Sequence, residues 1–169
     1  MKFETLFQEL ANSTEMIRAL SAGIEQDEAR VKPDEKSWSM LEVICHLHDE
    51  EREDFRQRLD IILHRPEAAW PPIDPVGWVT ARNYNERDLV EVLDQLSAER
   101  EKSLAWLRGL VEPDWEAGYQ ASFGTIRAGD MLSSWVAHDN LHMRQLVELR
   151  RGRIIKITEP YDVRYAGDW

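Results

Sequence analysis

Apolar side chains recur every three or four residues in four long segments of this chain, and this spacing constrains the fold more than any other feature. The segments lie within residues 3–23, 39–66, 85–113 and 129–152, and Pro- or Gly-containing stretches separate them. A helix with one apolar stripe must bury that stripe against a neighbour. We therefore expect an all-α fold, a four-helix bundle formed as a single domain by residues 1–169.

Local signals set the ends of these helices. Ser39 and Glu42 have the spacing of a capping box and predict the start of the second helix. Asn85, with Asp88 three residues later, predicts the start of the third helix. The end of the chain, residues 152–169, contains a β-prone run at 154–158, and we expect an irregular tail there.

The connection between the second and third helices, residues 65–85, contains four prolines and is long enough to cross the length of a helix. His46 lies seven residues after Ser39, about 10 Å along its helix, and His142 lies eight residues before Arg150, about 12 Å from the end of the fourth. Antiparallel second and fourth helices bring these histidines level. The order up-down-down-up, with a long crossover between helices 2 and 3, is the predicted topology.

Composition excludes several classes of protein. The net charge of -11 argues against a nucleic-acid partner, because phosphate binding needs clustered Lys and Arg. The sequence contains no apolar stretch long enough for a membrane span and no leader-like segment after Met1, so we expect a cytoplasmic protein without a membrane partner. The single cysteine, Cys45, is consistent with a reducing compartment.

The fourth segment carries the clearest chemical signal, the pair His138 and His142. Residues four apart lie on the same face of a helix, so both imidazoles can reach one metal ion. A packed structural role is the alternative, with Gln145, Asp139 or water satisfying the ring nitrogens. The string His-Asp-x-x-His differs from the zinc-protease motif His-Glu-x-x-His, because aspartate is one methylene too short to place the base. A di-iron site would need Glu-x-x-His, which does not occur.

Several motifs in this order resemble the DinB-like (DinB/YfiT-like) family of metalloenzymes. They are the Trp38–Glu51 segment, Gly124-Thr125-Ile126, the His138–Leu146 segment and the ending Tyr165-Ala166-Gly167-Asp168-Trp169. The resemblance implies a four-helix bundle with a crossover between helices 2 and 3, and a homodimer. It also implies one divalent metal ion held by His46, His138 and His142.

The choice of the ligand on the second helix depends on which argument is used. Helical periodicity alone favours His48, which lies near the centre of the inward face defined by Ile44 and Phe55. The family pattern places the ligand eight residues after Trp38, which is His46. A ligand at the flank of a helix suits a catalytic metal, since such a metal keeps one position open. We therefore predict His46.

Charged residues near His46 give further expectations. Glu51 and Arg100 both fall on inward stripes, and we expect them to form an ion pair. The rest of the acidic run at 50–54 is expected to be solvated. Asp49 is expected to orient an imidazole by accepting its second N–H.

Other reactive or aromatic side chains are given structural roles. Cys45 points about 100° away from His46 on the helix, which argues against a sulfur ligand. His64 is expected at the end of the second helix. Trp78, Tyr84 and Trp135 could line a pocket, but core packing is the favoured role.

The predicted function is that of a metal-dependent enzyme, a hydrolase or a thiol-dependent transferase acting on a small molecule. Three neutral ligands leave the full charge of zinc or nickel to act on water or a thiol. The resemblance adds a low-molecular-weight thiol as a candidate partner. A non-catalytic metal- or ligand-binding bundle in stress response is the alternative, and a purely structural bundle is the third reading.

Overall fold

The computed structural model describes residues 2–167, most of which are helical. The helices are α1 (Phe3–Ser21), α2 (Gln26–Ala29), α3 (Met40–Glu50), α4 (Arg56–His64), α5 (Pro75–Ala81), α6 (Leu89–Arg108) and α7 (Ala128–Ile157). A π-helical turn, Glu51–Phe55, joins α3 directly to α4, so these three pieces form one bundle helix. Two short strands, β1 (Gly118–Ala121) and β2 (Gly124–Arg127), precede α7.

The start of α3 is as predicted. The Ser39 hydroxyl accepts a hydrogen bond from the Glu42 backbone N–H at 3.1 Å, and the Glu42 carboxylate accepts one from the Ser39 N–H at 2.8 Å. Each side chain thus satisfies a backbone donor that the helix itself leaves free. This capping box is confirmed.

The predicted start of α6 at Asn85 is wrong. Asp88 is the N-cap, and its carboxylate accepts the Glu91 N–H at 2.8 Å. Asn85 lies in a separate 3₁₀ turn, where its side chain accepts from Ser39 Oγ at 2.6 Å and donates to the Arg30 carbonyl at 3.0 Å. Its amide is therefore used to join three segments rather than to cap a helix.

The expectation of an irregular, β-prone stretch at 154–158 is also wrong, because α7 continues to Ile157. Arg150 donates to the Leu20 and Ala22 carbonyls at 2.8 and 2.9 Å, and Arg153 pairs with Glu28 at 2.8 Å. These contacts hold the last turns of α7 against the end of α1 and against α2. Tertiary contacts thus override a local β preference.

The strands form a hairpin that the sequence did not predict. They pair antiparallel, with Gly118 opposite Arg127 and Ala121 opposite Gly124. Gly124 has φ +128°, which a residue with a Cβ rarely adopts. Four-residue strands are too short to give a clear alternating pattern.

Polar contacts between the bundle helices fix their directions. Contacting residue numbers rise together along parallel helices and run oppositely along antiparallel ones. By this criterion α1 is parallel to α7 and antiparallel to α6, while α6 is parallel to the helix formed by α3 and α4. The up-down-down-up topology, with its crossover between the second and third bundle helices, is confirmed. The contacts are Ser13–Asp139, Leu20–Arg150, Ser13–Arg100, Arg18–Asp94, Glu51–Arg100 and Arg56–Ser103.

Two apolar clusters fill the bundle, and a buried polar layer lies between them. One cluster includes Ile17, Ile44 and Leu146, and the other includes Leu10, Phe55 and Trp135. Along every bundle helix a polar residue separates the two clusters, and together they form the polar layer: Ser13, Glu51, Arg100 and Asp139. The predicted Glu51–Arg100 pair is confirmed at 2.8 Å. Over residues 2–167, no helix is long and apolar enough to cross a membrane.

Candidate metal centre

Three histidines meet between α3 and α7. Nε2 of His138 lies 3.2 Å from Nε2 of His46 and 3.1 Å from Nε2 of His142. A ligand atom from each ring lies within 4.8 Å of one from each of the others. The structure thus brings together the three residues that the sequence proposed as ligands.

Aromatic rings hold the three imidazoles in place. The indole of Trp38 packs against the His46 ring, with centroids 4.9 Å apart, and is stacked with the His142 ring at 6.4 Å. Phe55 packs against the His138 ring at 4.9 Å. His46 and His142 are buried, and His138 is half-buried. The rings are therefore fixed before any ligand arrives, which is the condition for a preorganised site.

All three imidazoles are held in the neutral form. Burial, and then repulsion from the other histidines, lowers the pKa of His46 to about 3. The same causes lower the pKa of His138 to about 4, and burial lowers the pKa of His142. Neutral imidazole is the form that coordinates a metal ion.

Gln145 determines which nitrogen of His142 carries the proton. Its amide oxygen lies 2.9 Å from His142 Nδ1. An amide oxygen only accepts, so Nδ1 donates and Nε2 presents its lone pair to the other histidines. The sequence offered Gln145 only as one way to satisfy a packed histidine. Its position on the second nitrogen is what a metal ligand requires.

The spacing of the nitrogens suits a tetrahedral metal. With metal–nitrogen distances of about 2.0–2.1 Å, two ligands of a tetrahedral ion lie about 3.3 Å apart. The two observed Nε2 separations are close to that value. A neutral imidazole has one N–H, so three converging Nε2 atoms cannot all satisfy one another by hydrogen bonds. The residues present fit a bound divalent ion.

His48, which periodicity favoured, lies outside this cluster. Its Nδ1 is 3.1 Å from the Asp49 carboxylate, and the ring takes no part in the group of three histidines. The helical wheel favoured a residue outside the cluster because it used only the apolar stripe, whereas His46 lies on the flank that faces α7. The side chain beside His138 and His142 is therefore His46.

Asp49 does not orient the His46 ring, so that expectation is wrong. The Asp49 carboxylate accepts hydrogen bonds from Tyr84 at 2.6 Å and from Arg82 at 2.5 Å. Burial opposes its charge, but the hydrogen bonds from His48, Tyr84 and Arg82 hold its pKa well below the usual range. Nδ1 of His46 has no hydrogen-bond partner within the described part of the chain.

The expectation that the acidic run at 50–54, apart from Glu51, is solvated is wrong at Glu50 and Asp54. Glu50, Glu51 and Asp54 are buried, whereas Glu53 is half-buried and pairs with Arg82 at 2.8 Å. A π turn carries more residues per turn than an α-helix, so it brings extra side chains onto the buried faces. Burial, together with the charge of Asp54, raises the pKa of Glu50 to about 8.

Cys45 and His64 take no part in the cluster. The Cys45 sulfur is directed to the Tyr84 carbonyl at 3.6 Å, and burial raises the pKa of its thiol to about 12. His64 ends α4 and lies 2.9 Å from the Asp60 carboxylate at the surface. Both arrangements agree with the structural roles expected from the sequence.

The aromatic residues considered as pocket walls mostly serve the core. Trp135 is fully buried, and its indole N–H donates to the Glu51 carboxylate at 2.8 Å. Tyr84 is fully buried as well, and Trp78 stacks with the Arg82 guanidinium at 4.1 Å. Asp139 accepts from Ser13 and Arg100, so it belongs to the polar layer and is not available as a protease-like base.

The model of one protein family, the DinB superfamily, matches residues 9–146 of the chain. The chain belongs to the DinB superfamily. This confirms the resemblance drawn from the motifs, although Asp168 and Trp169 of the C-terminal motif lie outside the described residues. A comparison with curated proteins finds no match.

A solved structure shows how this DinB-superfamily fold compares with a relative. YfiT from Bacillus subtilis, described as a probable metal-dependent hydrolase with an unusual four-helix bundle topology, superposes with a TM-score of 0.80. The two sequences are 19% identical, and the match covers 90% of this chain and 87% of YfiT. At this identity the likeness shows a shared fold.

Proposed function

We propose that this DinB-superfamily protein binds one divalent metal ion, zinc or nickel, through His46, His138 and His142 and hydrolyses a small molecule. The convergence of three neutral Nε2 atoms, two pairs of them 3.1–3.2 Å apart, carries the proposal. The likeness to YfiT, a probable metal-dependent hydrolase, favours hydrolysis over other metal chemistry.

The protein's part in the reaction is to hold and shield this site. A divalent ion, when bound, supplies a Lewis acid that polarises an oxygen and lowers the pKa of coordinated water. Gln145 keeps the His142 lone pair turned inward, and Trp38 and Phe55 keep bulk water from the ring faces. A neutral ligand set leaves the charge of the ion undiminished.

Metal analysis tests the ligand set. In protein purified without an affinity tag, we expect about one ion per chain in the wild type, and loss of it in His46→Ala and His142→Ala. His48→Ala is the matched control, since it removes a neighbouring histidine outside the cluster and should keep the ion. Full occupancy in His46→Ala with loss in His48→Ala would overturn the assignment, and a wild type without metal would overturn the proposal.

Turnover tests the catalytic part. Metal-loaded protein should hydrolyse small activated esters, and removal of the metal or the His142→Ala change should abolish the reaction. Assays with added low-molecular-weight thiols separate a hydrolase from a thiol-dependent transferase. If the protein binds metal but shows no metal-dependent turnover with either, the non-catalytic binding bundle is the better description. The homodimer, the cytoplasmic location and the role in stress response remain predictions.

A further inference from the structure

A cavity of about 840 Å³ adjoins the candidate metal centre. It lies between the loop that follows α2 and the last three turns of α7. Trp38 and Gln145 form part of its wall, and both contact the His142 ring. The cavity therefore lies beside the histidine cluster on its His142 side, although none of the three histidines lines it, and its volume is within the range of small-molecule sites.

Most of the cavity wall is apolar. Side chains from the loop and from α7 face each other across it. They include Ile24, Val31, Pro33, Met40, Leu149 and Ile157. Val31 and Ile157 are exposed to solvent although both are large hydrophobic residues. A surface of this kind favours a ligand with an apolar body.

The charges around the cavity have the opposite sign to the protein as a whole. Four basic side chains and two acidic ones line it, whereas the chain carries a net charge of -11. Three of the basic groups already have partners. Lys32 pairs with Glu42 at 2.9 Å, Arg153 pairs with Glu28 at 2.8 Å, and Arg150 donates to the Leu20 and Ala22 carbonyls. The lining thus presents an excess of positive charge at one place on an acidic molecule.

Lys156 is the basic group that remains available. Over residues 2–167 it has no ion pair and no side-chain hydrogen bond, although it lines the cavity. It lies eleven residues after Gln145, which is about 16 Å along α7. Side chains on a helix lean toward its N-terminus, so the ammonium group reaches back over the cavity.

We propose that this cavity binds the body of the substrate, an amphiphilic small molecule that ends in a carboxylate or a similar anion. The anion lies at the Lys156 end, the apolar chain contacts Val31 and Leu149, and the hydrolysed bond lies at the histidine cluster. This inference rests on the proposed hydrolase function, since it names the substrate class of the same site.

Binding of two matched probes tests the cavity without requiring metal or turnover. The probes are 8-anilinonaphthalene-1-sulfonate, which is anionic, and N-phenyl-1-naphthylamine, its neutral counterpart. We expect Lys156→Glu to weaken binding of the anionic probe about tenfold and to change the neutral probe less than about twofold. Val31→Trp narrows the cavity and should weaken both.

Lys2→Glu is the control, because it changes the net charge equally at the other end of the bundle. Near-ultraviolet circular dichroism checks that each variant keeps native packing. The inference is overturned if the wild type binds neither probe. It is also overturned if Lys156→Glu weakens the anionic probe no more than Lys2→Glu does, or if Val31→Trp leaves both affinities unchanged.

Two esters then connect the cavity to the reaction. Mono-4-nitrophenyl suberate and 4-nitrophenyl octanoate have chains of equal length, and only the first ends in a carboxylate. Lys156→Glu should lower kcat/KM for the suberate about tenfold and leave the octanoate unchanged. If the metal-loaded protein hydrolyses the octanoate but Lys156→Glu has no selective effect on the suberate, the inference about the cavity is wrong and the proposed hydrolase function stands. If neither ester reacts, the proposed function fails, and the probe titration still decides whether the cavity takes anions.

Discussion

The polar layer and the histidine cluster are both largely buried and both polar, but they differ in how their hydrogen bonds are satisfied. In the polar layer, Arg100 donates to both oxygens of Glu51, to Asp139, to the Ser13 hydroxyl and to the Leu10 carbonyl. In the cluster, three ring nitrogens that share too few protons face one another. The hydrogen bonds of the first group are complete, and those of the second are not.

This difference separates structural polar residues from functional ones. A buried charge is tolerated when every donor and acceptor has a partner, as Arg100 has. A group of converging acceptors without enough donors is costly unless something else binds. Burial and polarity alone would have selected both groups, and only the count of donors and acceptors distinguishes them.

The largest expected effect comes from disrupting the polar layer. Arg100→Met leaves the Glu51 and Asp139 carboxylates buried without their cation, so we expect a loss of about 3–5 kcal/mol in the free energy of unfolding, measured by urea denaturation. Arg18→Met is the control, because the Arg18–Asp94 pair is more exposed and should contribute about 1 kcal/mol or less. Equal losses in the two variants would contradict the distinction.

The next effect concerns the orientation of a ligand. Gln145→Leu removes the oxygen that accepts the His142 Nδ1 proton, and we expect metal affinity to fall about tenfold to a hundredfold, as measured by competition with a chelator. Gln145→Glu keeps an acceptor in the same place and should retain most of the affinity. Unchanged affinity in Gln145→Leu would show that the contact does not position the ring.

The histidine cluster should also make the stability of the metal-free protein depend on pH. The pKa of His46 is about 3 in the folded chain and about 6.5 in an unfolded one. Between those values the unfolded chain binds more protons, so stability falls as the pH is lowered from 6.5. From pH 6.5 to 5 the wild type should lose about 2 kcal/mol more than His46→Asn. His64→Asn changes an exposed histidine and should lose as much stability as the wild type over this pH range. Parallel curves of stability against pH for all three proteins would disprove the effect.

Glu50 should give a pH dependence of the opposite sign. Its pKa of about 8 lies above the ordinary value of about 4.3, so the folded chain binds more protons between those values and stability falls as the pH rises. The charge of Arg58, which pairs with the neighbouring Asp54 at 2.8 Å, lowers this pKa and already limits its rise. Glu50→Gln should therefore be more stable than the wild type at pH 8, and the difference should shrink toward zero as the pH is lowered to about 4.5. Thermal unfolding of both proteins at the two pH values measures this difference in stability. Its absence would contradict the prediction.

The parts that the sequence predicted are those that depend on regular spacing. Helical periodicity, the Ser39 capping box and the length of the 65–85 connection were enough to give the bundle and its crossover. The four-residue spacing of His138 and His142 placed both rings on one face of α7. These features follow from rules that act within one helix, where every residue contributes to the same pattern.

The parts that it missed depend on contacts between distant segments. Asn85 was expected to cap α6, but it joins two other segments. The end of α7 was expected to be irregular, but Arg150 and Arg153 hold it as a helix. His46 could be separated from His48 only through the family pattern, because the wheel does not show which flank of α3 faces α7. Such choices are made in three dimensions and leave only a weak local signal.

The π turn between α3 and α4 has a consequence for how the histidine cluster is built. His46 and Phe55 lie nine residues apart, and in an uninterrupted α-helix, at about 100° per residue, they would lie on opposite sides. Both nevertheless pack against the His138 ring, at 5.2 and 4.9 Å between centroids. The wider turn unwinds the helix by part of a revolution, so one helix supplies both an imidazole and an aromatic wall to the same neighbour. Deleting one residue from the turn would restore ordinary winding with Phe55 eight residues, about 80°, from His46, so Phe55 should still face His138; the π turn thus accommodates one extra residue without moving the aromatic wall.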